Sequence, residues 1–239
     1  MAPQVRAAGP SALKILTSHS SFSLFDALAP SFERAGGQQY AVEADSAKTM
    51  LARIKGGETA DIVVLGTAEV NELAAQGVVV AGSQRPVAHA RVGVAVRAGV
   101  PRPDISTVDA FKRTLLGAKS IAHTVHGKSG MYVHELLQRL GIAESMKGRV
   151  VTRQGGYIAR VVASGEAEIA IQQIVELLAV PGVALVGPLP DEIQQVFETS
   201  AGIFAASKKQ DAAAALIEFI RQPARAGVFR EKGLEQARV

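Results

Sequence analysis

Short apolar runs alternate along this chain with stretches in which apolar residues recur every three or four positions. That alternation predicts strands and helices in turn, the pattern of a parallel-sheet α/β protein. Residues 13–17 (LKILT) read as the first strand. A polar turn follows, and then a helix with Leu24, Leu28 and Phe32 on one face, stopped by Gly36 and Gly37. Residues 39–43 form the second strand, and a helix through Met50, Leu51 and Ile54 ends at Gly56 and Gly57. Residues 61–65 (DIVVL) are β-branched and continuous, as buried parallel strands are.

Beyond Pro86 the register changes. Residues 91–96 (RVGVAV) read as a strand crossing into a second lobe. In that lobe residues 107–116 predict a helix with Val108, Phe111 and Leu115 inward, and 120–123 a strand. Ser129 can N-cap a helix carrying Val133, Leu136, Leu137 and Leu140. Residues 157–164 predict a further helix, and 168–172 and 183–186 two further strands. Residues 194–205 then read as a strand returning to the first lobe, before a helix over 212–221. The expected fold is two-lobed α/β, each lobe a mostly parallel sheet flanked by helices, with two crossing strands as a hinge. Residues 13–86 plus 195–239 make lobe 1, 87–194 lobe 2, and 1–12 a flexible N-terminal segment.

Bulk properties narrow the function. The 239 residues are 48% hydrophobic and 20% charged, ordinary for a globular protein. Twenty-six Lys+Arg against 22 Asp+Glu give +4, spread without a basic run, and tryptophan is absent. Nucleic acid is therefore not an expected partner. Cysteine is absent, which excludes disulfides, thiol nucleophiles and thiolate metal sites. No run of 18 apolar residues could span a membrane. The start, through Ser11, lacks the apolar core of a secretory leader. The chain is thus expected to be periplasmic with its leader removed, or else cytoplasmic.

In open α/β sheets ligands sit outside the carboxyl ends of the strands, where helix N-termini offer unpaired N–H groups and partial positive charge. Four turns here carry small hydroxyl or glycine residues at such places: Thr17, Ser18, His19, Ser20 and Ser21; Asp45, Ser46, Ala47, Lys48 and Thr49; Gly127, Lys128, Ser129 and Gly130; Gln154, Gly155, Gly156 and Tyr157. Each alone also reads as a helix cap. Together, two to a lobe, they point to an anion that lobe closure would surround. The spacing of a dinucleotide fingerprint is missing around Gly155 and Gly156. His126-Gly127-Lys128-Ser129 lacks the full phosphate-loop pattern, and no cofactor is called for. His123 and His126 leave a strand without supporting cysteines, so a solvated loop outweighs a metal pair. His89 and His134 read as surface residues.

The chain resembles the periplasmic molybdate-binding protein family of ABC transporters. The likeness rests on Leu51-Ala52-Arg53-Ile54 with Gly57-Glu58-Thr59-Ala60-Asp61-Ile62, on Ser129-Gly130-Met131-Tyr132 leading into Leu137-Gln138-Arg139-Leu140-Gly141, on Gly165-Glu166-Ala167-Glu168, and on Val228-Phe229 with Lys232-Gly233-Leu234. It implies a type II periplasmic-binding-protein fold that captures a small anion and presents it to a transporter permease. It also implies donors from the first turn (Ser18, Ser20 or Ser21), from the second (Ser46 or Lys48), and from Ser129, Gly155 and Gly156. Gln173 stands where that family has a tyrosine. A charged Lys48 suits a carboxylate or a more highly charged ligand than a tetrahedral oxyanion held by neutral donors. An aconitate isomerase resembles the same family, which makes an isomerase of an unsaturated polycarboxylate the alternative. There His19, Lys128 or Tyr157 would move a proton.

Overall fold

The computed structural model describes residues 4–9 and 11–237. The chain divides into two compact units, Met1–His89 with Phe197–Val239, and Ala90–Val196. Unit 1 begins with β1 (Gln4–Arg6), β2 (Leu13–Ser18), α1 (His19–Arg34), β3 (Tyr40–Asp45), α2 (Ala47–Lys55), β4 (Ile62–Gly66) and α3 (Thr67–Ala75). The 13-residue strand β5 (Arg85–Arg97) carries the chain into unit 2. There follow α4 (Val108–Gly117), β6 (Ile121–Thr124), α5 (Lys128–Arg139), β7 (Val150–Arg153), α6 (Ala159–Ala163), β8 (Ile169–Gln173), α7 (Ile174–Leu178) and β9 (Val183–Pro188). The chain returns to unit 1 at the start of β10 (Val196–Ile203) and ends with α8 (Gln210–Arg221), α9 (Ala226–Glu231) and β11 (Leu234–Gln236).

Both units use one topology. In unit 1, β2 is flanked by β3 and β4, both parallel to it, with Ser18 opposite Asp45 and Thr17 opposite Val64. In unit 2, β6 is flanked by β7 and β8, both parallel to it, with Thr124 opposite Arg153 and Ala122 opposite Ala170. In each case the chain leaves a central strand to one side and returns on the other, which makes the carboxyl end of that strand a topological switch point. Antiparallel partners complete the sheets: β1 on β3 and β10 on β4 in unit 1, and β5 on β8 in unit 2.

The cores follow from the apolar faces. Leu16, Met50, Ile54, Val63, Leu65, Val70, Leu73, Val79 and Phe204 form one buried cluster of unit 1. In unit 2, Ala122, Tyr157, Ile158, Val161, Val162, Ala170 and Leu177 pack together. Burial of each large side chain stabilises the fold by about 1.5–3 kcal/mol. Asp61 ties strand to loop: its carboxylate accepts from the Lys14 amide at 2.8 Å and from the Ser207 hydroxyl at 2.5 Å.

Several elements differ from the sequence expectation. Within the segment expected to be flexible, Gln4–Arg6 forms β1, and the Arg6 guanidinium donates to the Tyr40 carbonyl at 2.9 Å while lying over the Tyr40 ring. The helix expected over 157–164 is only α6, and the Gln172 carboxamide binds the backbone just before it, at Gly156 and Ile158. Ser129 is not an N-cap. Gly127 holds that position and Ser129 lies inside the first turn of α5. The sequence reading missed α3, β7, α7, α9 and β11.

Candidate functional site

In unit 1 the carboxyl ends of β2, β3 and β4 each feed a helix: α1 from Ser18, α2 from Ser46, α3 from Gly66. Ser18 is the N-cap of α1 but makes no cap bond, its hydroxyl lying 3.0 Å from that of Ser20. Ser18 and Ser20 are half-buried, whereas His19 and Ser21 are buried at 7% and 3% exposure. Ser46 accepts from the Thr49 amide at 3.1 Å and lies 2.8 Å from the Thr49 hydroxyl, a side-chain cap in the usual sense. Asp45 accepts from the Ser46 amide at 2.6 Å. Lys48 and Thr49 are exposed, and Lys48 forms no ion pair among the described residues. Glu43 is engaged elsewhere, with Arg53 at 2.6 Å and Lys14 at 3.3 Å.

Sequence reasoning overlooked the third turn of unit 1. Thr67, the first residue of α3, donates to Glu198 at 2.6 Å and lies 2.9 Å from the Ser200 hydroxyl. The Thr67 hydroxyl holds the Glu198 carboxyl below the ordinary range. His89, read as a surface residue, lies 3.1 Å from the same carboxylate. The signal was present: Gly66-Thr67 follows the DIVVL strand as Ser18 follows LKILT.

In unit 2 the carboxyl ends of β6, β7 and β8 lead into the turns at Gly127, Gly155 and Gln173. Lys128 is half-buried in the first turn of α5, and Ser129 is 1% exposed. Gly130 has no room for a side chain, since a Cβ there would lie 1.8 Å from the Thr124 carbonyl oxygen. Gly156 has φ +83°, a conformation side chains rarely adopt. Gly155 is exposed and Gly156 half-buried, so this turn presents its backbone. Tyr157 does not stand open beside it: its ring is 5% exposed, packed in the core of unit 2 with the Arg160 guanidinium 5.7 Å from its centroid. Gln173 ends β8 and is 8% exposed.

The histidines near the third predicted turn are not a matched pair. His126 is exposed, but His123 is buried in β6, not in a solvated loop. Its Nδ1 lies 2.9 Å from the Thr124 carbonyl, and burial pulls its pKa down. Among the described residues no three His, Cys, Asp or Glu side chains gather as metal ligands.

First-turn charge separates the longer helices into two groups. Of the helices nine residues or longer, α3, α4 and α8 have an acid in the first turn, Glu69, Asp109 and Asp211. The other three, α1, α2 and α5, have none. Neither α1 nor α5 has a side-chain cap hydrogen bond at its N-terminus, where the helix dipole places positive potential. Within each unit, amides and hydroxyls at such helix starts are groups able to donate to an anion.

Comparison with known proteins identifies the family and the fold. A family model described as bacterial extracellular solute-binding protein matches residues 13–235. An aconitate isomerase from Pseudomonas sp. is 31% identical over 239 residues, covering 98% of this chain and 91% of that protein. Among solved structures, the periplasmic molybdate-binding protein of Azotobacter vinelandii aligns with a TM-score of 0.77 at 18% identity, over 93% of this chain and 98% of that one. The sulfate-binding protein of Mycobacterium tuberculosis aligns with a TM-score of 0.71 at 18% identity, over 93% of this chain and 86% of that one. With the type II periplasmic-binding-protein fold and a family match over nearly its whole length, the chain belongs to the bacterial extracellular solute-binding proteins.

Proposed function

We propose that this solute-binding protein captures a small organic anion bearing two or more carboxylates, using hydroxyl and amide donors at its strand-end turns. The observation that carries the reading is the absence of any first-turn acid from α1, α2 and α5, the helices that follow the turns at Ser18, Ser46 and Gly127. Ser18, Ser20, Ser46 and Thr49 supply hydroxyl donors from unit 1. Ser129, the amides at Gly155 and Gly156, and the Gln173 carboxamide supply donors from unit 2. Lys48, exposed and outside any described ion pair, supplies the positive charge that a polycarboxylate requires. Ser21 is the weakest of the first-turn candidates because it is buried. The protein works in the periplasm and delivers its ligand to an ABC-transporter permease.

A thermal-shift panel of molybdate, tungstate, sulfate, phosphate, citrate, tricarballylate and cis- and trans-aconitate tests this. A ligand at 100 times its Kd adds about 2.7 kcal/mol of stability. We expect the tricarboxylates to raise Tm by several degrees and the inorganic oxyanions to leave it unmoved. A response to molybdate alone would overturn the carboxylate reading.

The Pseudomonas relative favours a second reading, an isomerase of aconitate-like substrates. A base withdraws a methylene proton, the double bond shifts, and a proton returns at the far carbon, with no net gain or loss of atoms. His19, Lys128 or Tyr157 moves that proton, with Lys128 the most accessible. Chromatography of cis-aconitate incubated with concentrated protein separates the two readings. Appearance of the trans isomer, lost in Lys128→Met, establishes catalysis, and unchanged cis-aconitate with a thermal shift establishes binding alone.

A further inference from the structure

Unit 2 has a cavity of about 490 Å³ at the end of its sheet opposite the strand-end turns. Small-molecule pockets occupy about 300–1,000 Å³. Val96 and Ile169 line it and pair across β5 and β8. Ile169 opens β8, whereas Gln173 closes that strand about 13 Å further on. Val100, Pro101, Pro103 and Val162 extend the apolar floor. The loop that carries the two prolines is tied to α4, because the Thr114 hydroxyl donates to the Asp104 carbonyl at 2.7 Å. Proline fixes φ, so this wall keeps its shape.

Two guanidiniums, Arg97 and Arg113, line the same cavity with one carboxylate, Glu168. Glu168 is engaged with Lys119: it accepts from the Lys119 amide at 2.8 Å and lies 3.9 Å from its Nζ. Asp104, on the proline loop, accepts from the Ser106 amide at 2.9 Å. Arg97 and Arg113 form no ion pair among the described residues, whereas Arg53, Arg91 and Arg153 each meet a carboxylate at 2.6 Å. Gly165 leaves room for Arg97, whose Nη1 lies 3.6 Å from where a Cβ on that glycine would stand. Residues 97–119 carry five Lys and Arg against two Asp. A guanidinium offers a carboxylate two parallel N–H donors and keeps its charge at any physiological pH.

We propose that this cavity is a second ligand site, taking a small anion that joins one carboxylate to an apolar body. Arg97 and Arg113 hold the charge, and the proline-walled floor covers the body. The site is separate from the strand-end turns and does not rest on what they bind. A second carboxylate on the ligand would lose water against the apolar floor and find no donor there, so a single charged head fits.

Isothermal titration of the full chain with octanoate, acetate and 1-octanol tests this. We expect octanoate to bind at least tenfold more tightly than acetate, which has only the charge, and than octanol, which has only the chain. Arg97→Ala and Arg113→Ala should each weaken octanoate at least fivefold. Gly117 also lines the cavity, and a Cβ there meets nothing within 4 Å, so Gly117→Leu fills space without a clash and should abolish binding. Ser46→Asp, altered in unit 1, should keep wild-type affinity for octanoate. No saturable octanoate binding, octanol matching octanoate, or both arginine variants binding as wild type does would overturn the inference. Loss of octanoate binding in Ser46→Asp would overturn it too, by assigning that ligand to the strand-end turns. Should Gly117→Leu not fold, the two arginine variants, both altered at exposed residues, decide alone.

Discussion

A methyl group at Gly130 would meet the Thr124 carbonyl oxygen at 1.8 Å, while one at Gly155 would meet nothing within 4 Å. The two glycines belong to neighbouring turns of unit 2 yet carry different constraints. Gly130→Ala forces the α5 start away from β6. It is expected to cost about 3 kcal/mol, read as a fall of about 10 °C in Tm. Gly155→Ala is expected to change stability by less than about 0.5 kcal/mol. Gly156→Ala falls between, at about 1–2 kcal/mol, because of its positive φ. Comparable losses at Gly155 and Gly130 in thermal denaturation would contradict the geometry. At this scale the sequence showed which residue types stood in the turns, since hydroxyls and glycines are visible in a string of letters. It did not show that Tyr157 turns into the core or that His123 is buried, because orientation depends on neighbours more than 10 residues away.

The helices were legible wherever one face is apolar over several turns. The burial of Leu24, Leu28 and Phe32 in α1, and of Val133, Leu136 and Leu137 in α5, is the expected periodicity. Five-residue α7 offers too few repeats for that signal. The start of α2 separates two roles for Ser46, cap and anion donor. Ser46→Ala removes both and is expected to cost about 1 kcal/mol. Ser46→Asp keeps a cap acceptor and favours the helix dipole, so urea denaturation should show stability preserved. The same substitution sets a carboxylate where an anion would dock. Titration with the ligand found by thermal shift should therefore show binding lost by at least tenfold. Wild-type affinity in Ser46→Asp would reduce Ser46 to a cap.

Across the whole molecule, two carboxyl groups give the stability curve opposite slopes. The Arg53 guanidinium, with Lys14, holds Glu58 down to about 2, against an ordinary value of 4.5. The unfolded chain then binds the extra proton between those values. This contribution is complete above about pH 4.5 and is lost as pH falls toward 2. After solvent screening it amounts to about 1 kcal/mol, so Glu58→Gln should lose that much at pH 7 and converge with wild type near pH 2. Glu176 works the other way. Burial raises its folded pKa, so stability declines as pH climbs from about 4.5 to about 8, and Glu176→Gln should be the more stable protein at pH 8. Urea denaturation between pH 2 and 9 reads both effects. By itself the sequence determined the class of fold and the order of its main elements, because apolar periodicity is a local property that burial converts directly into strands and helices. It also identified the strand-end turns, because small hydroxyl residues and glycines declare themselves locally. Only the tertiary structure decided that both units repeat one switch-point topology, that Thr67, Glu198 and His89 meet, and that Gln172 holds the backbone at Gly156 and Ile158. Those facts join residues separated by up to 131 positions, and sheet pairing rather than local pattern brings them together.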